Sequence, residues 1–205
     1  MNEVRQPTVF IVDDDDAVRD SIAELAESVG LPAEAYDSAP AFLAAFEPDR
    51  PGCLVLDVRM AEMSGLALQK HLGDNSIDLP IVMLTGHGDV PMAVQAMKNG
   101  ALDFIQKPYR EQALLESING ALLKNAEDRR RGSMDDNFQK LLATLTEREI
   151  EVFEQLRHGK SSKQIARTLA ISPRTVETHR HHILAKLNLD SSKELMLLLG
   201  TLNPD

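Results

Sequence analysis

Five polar residues stand at or just beyond the ends of short apolar runs in the first half of the chain. They are Asp13 and Asp14 after Val9–Val12, Asp57 after Cys53–Leu56, Thr85 at the end of Ile81–Thr85, and Lys107, followed by Pro108, after Asp103–Ile105. A single acid at the end of a strand is ordinary and solvated. Several acids gathered at one place repel each other and call for a cation. With only oxygen donors in the set, that cation is Mg²⁺ rather than zinc, which would want His or Cys.

For these residues to meet, the runs must be neighbouring strands of one parallel sheet. With Ala33–Tyr36, five short runs alternate with helical patterns, the signature of an α/β doubly wound five-stranded parallel sheet. The first, third and fourth runs are the most apolar and belong at its centre. Val18, Ile22, Leu25, Ala26 and Val29 recur at helical spacing before Gly30, and Val94, Ala96 and Met97 before Gly100. Both stripes read as core. In such a sheet ligands gather beyond the carboxyl ends of the strands, where the five polar residues fall.

The chain has 205 residues, 43% hydrophobic and 26% charged, a composition outside the disordered and membrane classes and long enough for two domains. Its early apolar run is too short for a signal segment or membrane span, so a cytoplasmic protein is expected. The lone Cys53 lies in an apolar run and reads as a small core residue. The net charge of −10 is unevenly spread: 20 Asp and Glu face 9 Lys and Arg over residues 1–124, whereas 8 face 9 over residues 141–205. An acidic half joined to a mildly basic one suits a signal-receiving domain coupled to a DNA-contacting one.

A helix begins after Tyr109 and runs through Leu114, Ile118 and Leu122, then loses its apolar face in the polar stretch from Asn125. Residues 1–124 are thus read as one domain, 125–140 as a helical linker and 141–205 as an all-α four-helix domain. The Arg129–Arg131 run, a conceivable DNA arm, reads better as a solvated helix face. Capping boxes at Thr146–Glu149 and Ser161–Gln164, and Ser172 before Pro173, start helices near residues 147, 162 and 173. Ile150, Val152, Phe153, Leu156, Ile165, Ala166, Leu169, Val176, Ile183, Leu184 and Leu187 would close a small core, with Leu195–Leu199 as a fourth helix. The break at Gly159 and the turn at Ala170-Ile171-Ser172 fit a helix-turn-helix.

Asp13-Asp14, Asp57, Thr85 and Lys107-Pro108 resemble the set that marks bacterial receiver domains, over residues 8–124. The resemblance implies that Asp57 takes a phosphoryl group from the phosphohistidine of a sensor histidine kinase. Asp14, Asp57 and the main-chain carbonyl of Arg59 would hold Mg²⁺, with Asp13 reaching it through water. Lys107 would neutralise the phosphoryl oxygens, Thr85 would hydrogen-bond one of them, and the bond before Pro108 would be cis. Asp15 and Asp16 read instead as helix-start acids. Where the family usually has proline after Met60, this chain has Ala61, which loosens the loop after Asp57. Gly86-His87-Gly88 gives the loop after Thr85 freedom to move. Phe104, otherwise simply core, is the candidate aromatic switch. It would reshape a surface that includes Val90, Met92, Val94 and Lys98 into a homodimer interface on phosphorylation.

Leu145 to Val152, Lys163-Gln-Ile-Ala166, Ile171 to His179 and Ile183 to Leu187 resemble the LuxR-type helix-turn-helix, and the whole chain is similar to FixJ-type response regulators. The helix from Pro173 would enter the major groove with Glu177, Thr178 and His181 outward, while Val176 and Ile183 face the core. Glu177, if not merely an exposed helix charge, would accept from a cytosine amino group, and the Thr178 methyl would touch a thymine methyl. Lys163, Arg174, Thr175, Arg180 and Lys186 would bind phosphates of promoter DNA. RNA polymerase is the expected partner at the promoter. His179, His181 and His182 point in different directions from one helix and make a poor metal site. Two rivals fare worse. A haloacid-dehalogenase-type phosphatase needs a second Asp where Arg59 stands, and a small-molecule-sensing LuxR-type activator needs an aromatic-rich pocket, whereas aromatics are 4% of this chain.

Overall fold

The computed structural model describes residues 5–86, 90–191 and 193–195, and the chain divides into two compact units, Met1–Arg130 and Arg131–Asp205. In the first, β1 (Thr8–Val12), α1 (Asp16–Ser28), β2 (Ala33–Tyr36), α2 (Ala39–Ala45), β3 (Gly52–Asp57), α3 (Gly65–Asp74), β4 (Ile81–Thr85), α4 (Val90–Lys98) and β5 (Asp103–Gln106) alternate along the chain before α5 (Glu111–Leu142). All five strands pair in parallel in the order β2-β1-β3-β4-β5. This is the α/β sheet expected.

β1, β3 and β4 are buried along their whole length because helices cover both faces of the sheet. Side chains alternate between the two layers. Phe10, Leu54, Leu56 and Met83 fill one, and Val9, Ile11, Val55 and Leu84 the other. Cys53 lies in the second layer, where burial pushes its thiol up to about 12. From β1 the chain moves outward to β2, then crosses back to β3 on the other flank. The carboxyl ends of β1 and β3 therefore lie side by side where strand order reverses, and a crevice opens there. Val12 pairs with Leu56, so Asp13 and Asp57 come next on adjacent strands.

Two stripes differ from expectation. Among the described side chains of α4 only Ala96 is buried, while Val94 and Met97 are each 47% exposed. At about 100° per residue, 94 and 97 share a face that turns away from the sheet. Val29 caps α1 and is exposed, and Gly30 follows in the left-handed conformation at φ +78°.

α5 buries Leu114, Ile118 and Ala121 and continues as one helix through the polar stretch. Side chains at both ends of residues 125–140 are engaged. Asn125 is buried, accepts from the Gly52 N–H (3.0 Å) and donates to the Asp78 carbonyl (3.4 Å). Arg129 donates to the Asp49 carbonyl (2.6 Å), while Phe138 joins the core of the second unit.

In that unit α6 (Glu147–Arg157), α7 (Ser162–Thr168) and α8 (Pro173–Lys186) begin where the caps require. Residues 193–195 are helical and Leu195 is buried, whereas Met196–Leu199 of the expected fourth helix lie outside the described residues. Between α7 and α8, Ala170 takes a left-handed φ of +53° and Ile171 N–H returns to the Ala166 carbonyl (3.0 Å), a closed C-terminal cap that turns the chain sharply.

Ile150, expected in the core, is 44% exposed, while Glu149 beside it is buried. Val152, Phe153 and Leu156 define the inward face of α6, and position 149 lies on that face. Glu149 completes the capping box by accepting from Thr146 N–H (2.8 Å) and receives the Lys186 ammonium (2.6 Å). Burial alone would raise its pKa. The Lys186 ion pair and the Thr146 hydrogen bonds outweigh burial and hold the carboxyl at about 2. A depressed carboxyl stabilises the fold fully above its unfolded value of 4.5, and that contribution fades as pH falls toward about 2. Glu149→Gln should cost about 1–3 kcal/mol near neutrality. Thermal unfolding followed by circular dichroism should show the gap to wild type narrowing below pH ~4.5; a gap constant with pH would remove the ionic explanation.

Candidate functional site

At the crevice between β1 and β3, Asp13 and Asp57 are 1% and 6% exposed. The Lys107 ammonium, arriving from the end of β5, bonds Asp13 Oδ2 at 2.5 Å and Asp57 Oδ1 at 2.6 Å. The cis bond between Lys107 and Pro108 is present, and Lys107 N–H donates to the Thr85 carbonyl (2.6 Å), which stitches the end of β5 to β4. Each Asp carries a second restraint. Asp57 Oδ2 accepts from Arg59 N–H (2.6 Å), and Asp13 Oδ1 accepts from Asp15 N–H (3.0 Å). The Asp13 carbonyl receives the Arg19 guanidinium (2.7 Å), a support that no sequence motif marks.

The electrostatics follow from this geometry. Burial pushes the Asp57 carboxyl up, Lys107 and Arg59 N–H pull it down, Asp13 pushes it up again, and the balance is upward. Burial pulls the Lys107 ammonium down, but Asp13 and Asp57 raise it further, so it stays a firm cation. Thr85 Oγ1 is buried at the end of β4 with no hydrogen-bond partner among the described residues. An orphaned buried hydroxyl beside an acid cluster is a donor awaiting an acceptor.

Asp13, Asp57 and Lys107 are thus brought together, with Thr85 at the neighbouring strand end. Asp14 is exposed on the rim, where it lines a hollow of about 240 Å³ with Met60, Ala61 and Met63 of the loop after Asp57. Among the described residues no three His, Cys, Asp or Glu side chains are grouped to hold a metal ion on their own. The donor set nevertheless fits Mg²⁺, which takes one or two carboxylates and completes its shell with water and phosphate oxygens. His87 and Gly88 of the expected mobile loop lie outside the described residues. Phe104 is half-buried. It packs on one core layer and lines a hollow of about 670 Å³ with Leu102, Gln106 and Ser117.

Gly65 was not singled out by sequence, although it follows the N-cap Ser64 of α3. A Cβ at this position would stand 2.1 Å from the Asp57 carbonyl oxygen, so only glycine lets α3 start against the backbone of Asp57.

On α8, Val176 and Ile183 are buried and Arg174, Thr175, Glu177, Thr178 and His181 exposed, as the outward-face reading requires. Lys163 on α7 is exposed. Thr175 N–H is spent on the Ser172 cap (3.0 Å) and the Thr178 hydroxyl on the Arg174 carbonyl (3.1 Å). Lys186 is committed elsewhere, to Glu149 and the Thr144 carbonyl (3.1 Å), which leaves it poorly placed to serve a phosphate. Arg180 is bound to Ser162 and Glu177.

Gly65→Ala should displace the Asp57 carbonyl, cost about 1–3 kcal/mol and slow phosphoryl uptake from acetyl phosphate by on the order of tenfold or more. Phosphate-affinity gels would read the uptake; a wild-type rate would show that the contact at Gly65 does not position Asp57.

Comparison with known proteins bears on both units. The response regulator receiver domain family matches residues 9–119, and the luxR family of bacterial regulatory proteins matches residues 143–199. Transcriptional regulatory protein TdiR of Thauera aromatica is 47% identical over 189 residues, covering 92% of this chain and 83% of TdiR. Transcriptional regulatory protein FixJ of Azorhizobium caulinodans is 44% identical over 198 residues, covering 96% and 94%. Among solved structures, response regulator StyR superposes with a TM-score of 0.85 at 45% identity over 96% of this chain and 99% of that one. Full-length FixJ from B. japonicum does so with a TM-score of 0.60 at 38% identity over 98% and 100%.

Proposed function

The chain belongs to the response regulators that join a receiver domain to a LuxR-type DNA-binding domain, and from that premise we propose that phosphorylation of Asp57 drives dimerisation and promoter binding. The family implies a histidine kinase as phosphodonor and promoter DNA as target, and its members regulate transcription rather than act as enzymes. The observation that carries the reading is the Lys107 ammonium clasped between two buried acids beside the orphaned Thr85 hydroxyl.

Asp57 attacks the phosphorus of a phosphohistidine, the P–N bond breaks, and the imidazole leaves with a proton while an acyl phosphate forms. Asp14, Asp57 and the Arg59 carbonyl would hold Mg²⁺, with Asp13 reaching it through water, and the ion would supply neutralisation of phosphoryl charge. Lys107 exchanges its Asp57 contact for phosphoryl oxygens, and Thr85 donates its unused hydroxyl to one of them. Phe104 follows into the space that Thr85 vacates. The α4–β5 surface then becomes self-complementary. The exposed Val94, Met97 and Leu102 supply its apolar area.

Residues 125–140 act as the helical linker between the receiver and the DNA-binding domain of residues 141–205. Two copies of α8 on adjacent half-sites read bases with Glu177, Thr178 and His181, and Lys163, Arg174 and Thr175 hold phosphates, while Arg180 stays with Ser162 and Glu177. Lys186 serves its fold first and contacts phosphate at most from the edge. RNA polymerase is engaged at the promoter, in the cytoplasm. Among the described residues no helix is long and apolar enough to cross a membrane.

A gel shift on genomic fragments, with and without acetyl phosphate and Mg²⁺, tests the coupling. Wild type should gain affinity on the order of tenfold, and Asp57→Asn should gain none; equal responses would refute the coupling. Sedimentation tests the interface. The phosphorylated protein should be a dimer, and Met97→Glu should leave it monomeric with phosphoryl uptake unchanged, whereas a dimer that survives this change would place the interface elsewhere.

A further inference from the structure

Ser162 opens α7 but does not cap it. The cap belongs to Ser161, whose N–H and hydroxyl both meet Gln164 Oε1 at 2.8 Å. The Ser162 hydroxyl is turned instead across to α8. It donates to Glu177 Oε1 at 2.5 Å and accepts from Arg180 Nη1 at 2.6 Å, while Arg180 Nη1 also lies 3.4 Å from Glu177 Oε1. A serine hydroxyl has one proton to give and lone pairs to receive, so the three groups form a directed relay from guanidinium to hydroxyl to carboxylate.

We propose that Ser162 is a specificity-determining positioning residue, which fixes the Glu177 carboxylate for base reading. The inference rests on the reading of α8 as the DNA-reading helix and goes one residue further.

The physical case has three steps. Glu177 lies on an exposed face that must approach phosphates, and a bare carboxylate there would be repelled. Arg180 at ion-pair distance offsets that charge. Next, a glutamate on a helix surface samples many rotamers, and ordering it on binding costs affinity unless it is already held. The Ser162 bond comes from a different helix and therefore restrains the carboxylate in position as well as rotamer. Finally, both contacts fall on Oε1, which leaves Oε2 for a donor on the DNA. The major-groove donors are the cytosine and adenine amino groups, and carboxylates pair best with cytosine.

In-vitro selection from a duplex library with a randomised window, using full-length protein treated with acetyl phosphate and Mg²⁺, reads this residue by base position. Wild type should enrich a motif in which one base pair per half-site prefers cytosine on the order of tenfold. Ser162→Ala should flatten that position to about threefold or less and leave the others intact. Glu177→Gln should alter the same position, and Ser162→Thr, which keeps the hydroxyl, should restore it. An unchanged Ser162→Ala motif overturns the proposal. So does a loss spread evenly over all positions, which would mark Ser162 as merely structural, or a change at a different position from that of Glu177→Gln. If wild type itself enriches no motif, the reading of α8 fails and the inference falls with it, an outcome told apart because it needs no variant to be seen.

Discussion

The clasp of one ammonium by two buried carboxylates is the interaction on which the receiver depends. Asp13 and Asp57 are both nearly inaccessible, and without Lys107 between them their mutual repulsion in a poorly screened site would favour neutralising one acid or opening the crevice. With it, the ammonium between the two carboxyls offsets that repulsion and holds them in one pocket. In the proposed mechanism the acyl phosphate formed at Asp57 carries its charge outward on phosphoryl oxygens, and Lys107 follows it. The same cation that holds the resting pocket together would therefore be the part that registers the proposed modification. Its main-chain bond to Thr85 ties that registration to the end of β4, where the unused hydroxyl lies.

Topology makes this clasp possible. The reversal of strand order between β1 and β3 opens a crevice only at their carboxyl ends, and the chain returns as β5 to deliver Lys107 from two strands away. β5 is an edge strand of the sheet, and Phe104 on it is only half-buried beside a hollow. The proposed change at the centre of the sheet would thus reach an element with room to move. The neighbouring face of α4 keeps Val94 and Met97 in solvent instead of burying them against the sheet.

Much of this was legible in the residues. Strand ends, helix starts at 147, 162 and 173, and the buried positions of α8 depend on patterns within one element, and local periodicity and capping chemistry report them directly. Exposure on α4 and at Ile150 was misjudged because an apolar residue one step off a helical stripe looks like part of it. A polar neighbour such as Glu149 can take the inward place once its cap and ion pair satisfy it. The second contacts of the key side chains were not legible at all. Asn125 spans 73 residues to Gly52, and Lys186 spans 37 to Glu149. Which faces meet across such spans is decided by packing, which no motif records.

Those long contacts also change how the charge of the second unit should be counted. By composition, residues 141–205 hold nine Lys and Arg, enough to suggest a basic DNA-binding surface. Several of these cations are occupied within the fold: Lys186 by Glu149, Arg148 by Glu151 and the Leu169 carbonyl, and Arg180 by Glu177 and Ser162. Lys163, Arg167 and Arg174 remain exposed on α7 and at the start of α8. Since each phosphate contact adds its own increment to nucleic-acid affinity, so short a set makes one copy a weak binder. Two copies held together multiply a weak contact without any new residue at the DNA. The scarcity of unengaged positive charge among the described residues of the reading unit is what would give the proposed dimerisation its leverage over DNA.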